Sequence, residues 1–306
     1  MDKRPSLISA FLIIFRPLLI VAALLTYMLG LGIARHLVVP VDTSKATLGF
    51  VLVIFLLEMR AFLEAYNRHP GAPENRLSNT IKVEDRYISA IEQFPRTVLL
   101  YVAVVILVAG ALLTTLLALK GGLSPAVTLI LGIAFFACFF SAVPPFALSE
   151  KGYAEIIEAL LIANAVPSIA LGLQMPELHS LLVLLTLPLT LLYIALRITV
   201  ALKDFGKDSL RNRQTLLLRI GWERGMSLHN ISLIGCYLLI AVFAAFRLPW
   251  SLIWPQLLSM PFAALQILQV QQIAGGAKPN WRLLILTASV TFALTAYMST
   301  VTLWIR

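Results

Sequence analysis

The chain has 306 residues, 59% of them hydrophobic and 13% charged, with a mean hydropathy of +0.90 and a net charge of +9. So few charges cannot cover so much apolar surface in water, which excludes an ordinary soluble domain. Apolar runs of about 20 residues recur along the whole length, the length a helix needs to cross an approximately 30 Å hydrocarbon core, and they lack the polar–apolar alternation of a membrane β-barrel.

The predicted spans lie at about 8–33, 46–66, 97–119, 124–146, 155–175, 178–202, 229–247, 251–272 and 281–304. The expected fold is an all-α integral membrane protein of about nine transmembrane helices, a single domain over 1–306. The N-terminal apolar run is too long for the core of a signal peptide and reads as the first span. Two connections are longer and more polar than the rest, at about 67–96 and 203–227. With the N-terminus inside, only Arg35, Lys45, Lys120, Arg247 and Arg306 fall outside, and the other 19 of the 24 Lys and Arg face the cytoplasm. That asymmetry favours a cytoplasmic N-terminus. The basic charge is therefore loop charge, and no nucleic-acid partner is expected. Cys138 and Cys236 sit inside apolar runs without ligand spacing, and His36, His69, His179 and His229 are scattered.

Charged residues beside spans are functional candidates by default. Lys203 and Asp204 close the sixth span, and Asp208 follows four residues later. On a helix that spacing puts both carboxylates on one face. Mg2+ is commonly held by one or two carboxylates plus substrate phosphates, and Arg211, Arg213, Arg219 and Arg224 downstream are suited to phosphate oxygens. By spacing alone, the same residues equally describe a solvated basic loop. Glu155 and Glu158 open the fifth span, where acids meet the positive end of the helix dipole. Arg197, Asn164 and Gln266 fall within spans and either line a cavity or bond another helix.

Residues 203–221 resemble the second aspartate motif of the UbiA superfamily of intramembrane prenyltransferases, roughly K-D-x-x-x-D-x-x-x-G-x-x-T-L-x-x-R-x-G. Asp204, Asp208, Thr215, Leu216, Arg219 and Gly221 fall in register, and Asn212 replaces a glycine. Phe15, Arg16 and Pro17 resemble the family's R-P at the start of its first span. Residues 144–155 resemble its P-P-x-x-L-x-x-x-G-x-x-E segment through Pro144, Pro145, Gly152 and Glu155. The resemblance runs over nearly the whole chain. It implies a UbiA-like bundle around a central cavity and a multi-pass protein whose active face is cytoplasmic.

The family's first motif, N-D-x-x-D-x-x-x-D, is degraded. Leu57 and Arg60 stand at two acid positions, and only Glu64 keeps a carboxylate. Glu58 is one residue out of register, about 100° around the helix. The alignment is anchored by Glu64, Asn67 and Arg68 and by Arg76 beyond them. The resemblance implies transfer of an isoprenyl group from an isoprenyl diphosphate to a lipophilic acceptor such as a quinone precursor, with Mg2+ as cofactor. Asp204, Asp208 and Glu64 are the implied catalytic and metal residues. Arg60, Asn67, Arg76, Lys151, Lys203, Arg211 and Arg213 are the implied diphosphate ligands. Membrane lipids and membrane-protein partners are further expected contacts. The degraded motif supports an alternative, a catalytically degenerate relative acting as a lipid- or quinone-binding or structural subunit of a membrane complex. A transporter is a third class.

Overall fold

The structure is a computed structural model, and it describes residues 6–71, 86–210 and 214–305. Among these, nine segments are long and apolar enough to cross a membrane, and no strand occurs. The protein is a multi-pass membrane protein. In chain order the helices are α1 (Leu7–Phe15), α2 (Pro17–His36), α3 (Thr43–Arg68), α4 (Arg86–Ile91), α5 (Arg96–Leu119) and α6 (Pro125–Ala142). There follow α7 (Ala154–Leu160), a π-helical turn (Leu161–Ala165), α8 (Val166–Gly172), α9 (Ser180–Leu210) and α10 (Leu216–Ile220). The last are α11 (Trp222–Phe246), α12 (Trp250–Ile253), a 3₁₀ turn (Gln256–Ser259), α13 (Met260–Ala274) and α14 (Trp281–Ile305).

The first span breaks between α1 and α2. Arg16 lies at φ 47°, ψ 61°. A residue before proline is pushed out of the right-handed helical region, and Pro17 then starts α2 with its φ already set. The break matters because it turns the Arg16 side chain toward α3. The fifth span also departs from a regular α-helix. Pro167 has no N–H to give the preceding turn, and the π turn at Leu161–Ala165 widens the helix just before it. Asn164 in that turn donates to Thr190 Oγ1 of α9 at 2.7 Å, so this asparagine bonds another helix.

The core is apolar and spans α2, α3, α8, α9 and α14, with Tyr27, Leu29, Ile33, Ile162, Leu171 and Leu189 almost fully buried. Where α2 meets α8, a Cβ on Gly30 would collide with the carbonyl oxygen of Pro167. Small residues let membrane helices approach in this way. Gly30→Leu is expected to lower stability by about 1–3 kcal/mol through overpacking, read as a lower midpoint of thermal unfolding in detergent. Polar bonding ties the last helices together. Thr287, Thr291, Thr295 and Ser299 form a stripe on α14. Gln266 donates to Thr291 at 2.6 Å, and Ser259 lies 2.7 Å from Thr295.

Three span ends differ most from expectation. The sixth was expected to stop near residue 202, but α9 continues to Leu210, and the seventh starts at Trp222 rather than near 229. At 1.5 Å per residue α9 is about 46 Å long, more than the hydrocarbon core. Lys203, Asp204 and Asp208 are therefore helical residues in the last turns of α9, not loop residues. The fourth span ends at Ala142, short of the expected 146, where Val143 turns to extended backbone ahead of Pro144 and Pro145.

Candidate functional site

Three segments are fastened together at the end of the bundle that carries the C-termini of α3, α6 and α9. Asn67 Nδ2 donates to the carbonyl of Ala142 at 2.7 Å, joining α3 to α6. Arg68 Nε lies 3.7 Å from a Glu150 carboxylate oxygen. Lys151 and Gln214 pair through their backbones as a short parallel bridge, and Arg219 Nη1 donates to the Lys151 carbonyl at 3.0 Å. The Arg219 guanidinium also stacks over the Tyr153 ring at 4.5 Å. Thr215 caps α10 by accepting from the Leu218 N–H. Gly152 lies at φ 79°, and a Cβ there would stand 2.8 Å from Arg219 Cδ and 3.0 Å from the Thr215 carbonyl group. Asn67 and Arg219 thus join the segments that frame the site, and Gly152 allows Thr215 and Arg219 to approach closely.

Inside this frame lies a buried charged cluster. Glu64 accepts from Arg16 Nη2 at 2.8 Å through Oε2, and from Arg60 Nε at 2.9 Å through Oε1. Arg60 Nη2 lies 3.9 Å from Glu158 Oε2 on α7. Glu158 Oε1 accepts from the Tyr193 hydroxyl at 2.8 Å and faces Arg197 Nε at 3.3 Å, both on α9. The Arg197 contact is a charge pair without hydrogen-bond alignment. Glu64, Glu158 and Arg60 are all buried. Arg16 reaches the cluster because of the break before Pro17, and its guanidinium lies 5.6 Å from the centre of the Tyr87 ring. Three guanidinium groups meet two carboxylates here, an excess of one positive charge, and Arg60 Nη1 and one oxygen each of Glu58 and Glu155 are buried without a hydrogen-bond partner.

Tyr193, Arg197, Asp204 and Asp208 follow one another at four-, seven- and four-residue steps along α9, which keeps them on one face. Asp204 stands about 10 Å along the axis from Arg197, and Asp208 one turn further. Asp208 is buried and Asp204 half-buried. The helix therefore links the buried cluster to a carboxylate pair near its C-terminus. Lys203 is exposed. Lys151 is exposed too, and its ammonium donates to the Pro145 carbonyl at 3.0 Å. Arg76, Arg211 and Arg213 lie outside the described residues.

The two expected metal positions differ in chemistry. Asp204 and Asp208, one turn apart, are a donor set that fits a hard cation sharing its shell with phosphate oxygens. At Glu64 the donor set does not fit, since both oxygens accept from guanidinium groups. Among the described residues no group of three or more His, Cys, Asp or Glu is placed to hold a metal ion. The sequence reading missed Tyr193 and left Arg197 and Glu158 undecided. Extending the Asp204–Asp208 stripe backward along α9 at helical spacing would have found the first two.

No protein-family model matches the sequence, and no curated protein matches it. Solved structures match in fold. A UbiA homologue from Archaeoglobus fulgidus bound to Cd2+ superposes with a TM-score of 0.65 at 16% identity, covering 96% of this chain and 99% of that one. The same homologue bound to DMAPP and Mg2+ gives 0.63 at 16% identity, over 97% and 100% of the two chains. A digeranylgeranylglyceryl phosphate synthase gives 0.62 at 12% identity, over 98% and 99%.

Proposed function

We propose, from the UbiA fold that the whole chain shares with these structures, that this protein is an intramembrane prenyl-transfer protein. Its substrates are an isoprenyl diphosphate and a lipophilic acceptor such as a quinone precursor. The observation that carries the reading is the Asp204–Asp208 pair, set on the same face of α9 as Tyr193 and Arg197. The A. fulgidus homologue was captured with DMAPP or GPP and Mg2+, which supports the substrate class. Asp204 and Asp208 would hold Mg2+, which when bound neutralises the diphosphate leaving group. The distribution of Lys and Arg supports a cytoplasmic site.

In this reading the framing segments orient the diphosphate. Lys203 and Arg197 lie along α9, Lys151 and Asn67 on the fastened segments, and Arg76, Arg211 and Arg213 in the connections. The isoprenyl chain lies among apolar helices. The allylic C–O bond breaks, pyrophosphate leaves with the bonding pair, and the acceptor's nucleophilic atom bonds to the allylic carbon and loses a proton. The apolar surroundings exclude water that would otherwise quench the cation. Glu64 is not a free ligand in this scheme, since Arg16 and Arg60 engage it.

That engagement also favours a second reading, a relative that binds a prenyl lipid or quinone as a subunit of a membrane complex. Pyrophosphate release from geranylgeranyl diphosphate separates the two. It is measured with Mg2+ and with EDTA, and with and without a pool of extracted quinone precursors. Transfer predicts Mg2+-dependent release that rises with the pool. No release from folded protein, across prenyl chain lengths and pools, leaves the binding-subunit reading.

A further inference from the structure

Arg60 lies between two buried carboxylates, each of which also meets one outer arginine, Arg16 at Glu64 and Arg197 at Glu158. Its Nε is 2.9 Å from Glu64 Oε1 and its Nη2 is 3.9 Å from Glu158 Oε2, on helices α3 and α7. The Arg60 side chain is 3% exposed. Two carboxylates drawn together from different helices repel in a poorly polarisable interior unless positive charge lies between them. A metal ion would meet that need, but here a guanidinium already does.

We propose that Arg60 is a resident cation. Its guanidinium fills the locus between Glu64 and Glu158 that a divalent ion would otherwise take, so this wall of the site carries positive charge without metal. The remaining metal demand falls on Asp204 and Asp208 alone. Arg60 Nη1 is buried and has no hydrogen-bond partner, which leaves one donor uncommitted for a ligand oxygen. The bearing on a diphosphate rests on the prenyl-transfer reading, whereas the filling of the locus by Arg60 does not.

The test uses full-length protein carrying Asp204→Asn and Asp208→Asn, so that the other candidate metal position is absent from every arm. Bound Mn2+ is counted by electron paramagnetic resonance, and thermal unfolding is followed with and without MnCl2. With Arg60 intact, no bound Mn2+ and no shift in Tm are expected. Arg60→Ala is expected to lower Tm and to make it rise again with Mn2+ concentration, with about one ion taken up per chain. Adding Glu64→Gln is expected to abolish that uptake. Arg60→Asp, which supplies a third carboxylate, is expected to bind Mn2+ more tightly than Arg60→Ala. The proposal is overturned if the protein with Arg60 intact binds a Mn2+ ion that Glu64→Gln removes. It is equally overturned if Arg60→Ala folds and takes up none. Neither result depends on turnover, so failure of the prenyl-transfer reading would leave this test standing.

Discussion

If the chain transfers a prenyl group as proposed, Asp204→Asn and Asp208→Asn are each expected to lower Mg2+-dependent pyrophosphate release from an isoprenyl diphosphate by about 10²–10³-fold, a loss comparable to that of removing one electrostatic contact to a developing charge. Each change keeps side-chain shape and deletes one negative charge from a pair one turn apart on α9. The metal's affinity drops with that charge, so the Mg2+ concentration for half-maximal rate rises in both variants and excess Mg2+ recovers part of the rate. The measurement is kcat/KM against Mg2+ concentration, with the helical circular dichroism of each variant as the control for folding. Asp208 is the more buried of the two, so Asp204→Asn gives the cleaner chemical effect. Unchanged turnover in both variants would remove the carboxylate pair from the site.

The largest effect on stability is expected at Glu158. Its carboxylate accepts from Tyr193, faces Arg197 at 3.3 Å and lies 3.9 Å from Arg60. Glu158→Ala strips all three of their common anion inside the bundle. Removing one partner of a buried pair costs about 3–5 kcal/mol, because the charge left behind is uncompensated. At a few degrees per kcal/mol, the unfolding midpoint in detergent falls by about 10 °C. Glu158→Gln, which still accepts from Tyr193, should fall between that variant and the parent. Glu64→Ala is a related case, since Arg16 and Arg60 both lose their acceptor. A Glu158→Ala protein as stable as its parent would mean that these charges are not coupled in the folded chain.

The spans were legible because hydropathy reports directly on the lipid environment. Their ends were less so. Lys203, Asp204, Lys207 and Asp208 read as the start of a loop because they are charged, yet the helix continues to Leu210. Polarity marks the membrane boundary rather than the helix boundary, and the same error moved the start of α11 from Trp222 to near 229. The break at Arg16 was legible only as a motif, although proline chemistry explains it.

The site divides along similar lines. Asp204 and Asp208 are four residues apart on one helix, so spacing alone put them on a common face; Arg60 and Glu64 have the same spacing, but their pairing on α3 came from the structure. The bonds that assemble the cluster join different helices. Arg16 meets Glu64 across 48 residues and Tyr193 meets Glu158 across 35. Periodicity within a segment says nothing about such partners. Arg60 was legible as a departure from a metal-binding pattern. Its second carboxylate, Glu158, emerged only from the packing of α7 beside α3 and α9. Asn67 and Lys151 looked like ligands in sequence, and in the fold they also bond the carbonyls of Ala142 and Pro145.

The most direct test of an isoprenyl diphosphate site at the end of α9 is equilibrium binding, which needs no acceptor. A non-reactive geranylgeranyl thiolodiphosphate is titrated into purified full-length protein in detergent, with Mg2+ and with EDTA. The parent and an Asp204→Asn/Asp208→Asn variant are compared. Saturable binding that requires Mg2+ in the parent and is lost in the variant is the expected result. Equal binding with EDTA and in the variant, or no binding by folded parent protein, would contradict a diphosphate site at Asp204 and Asp208.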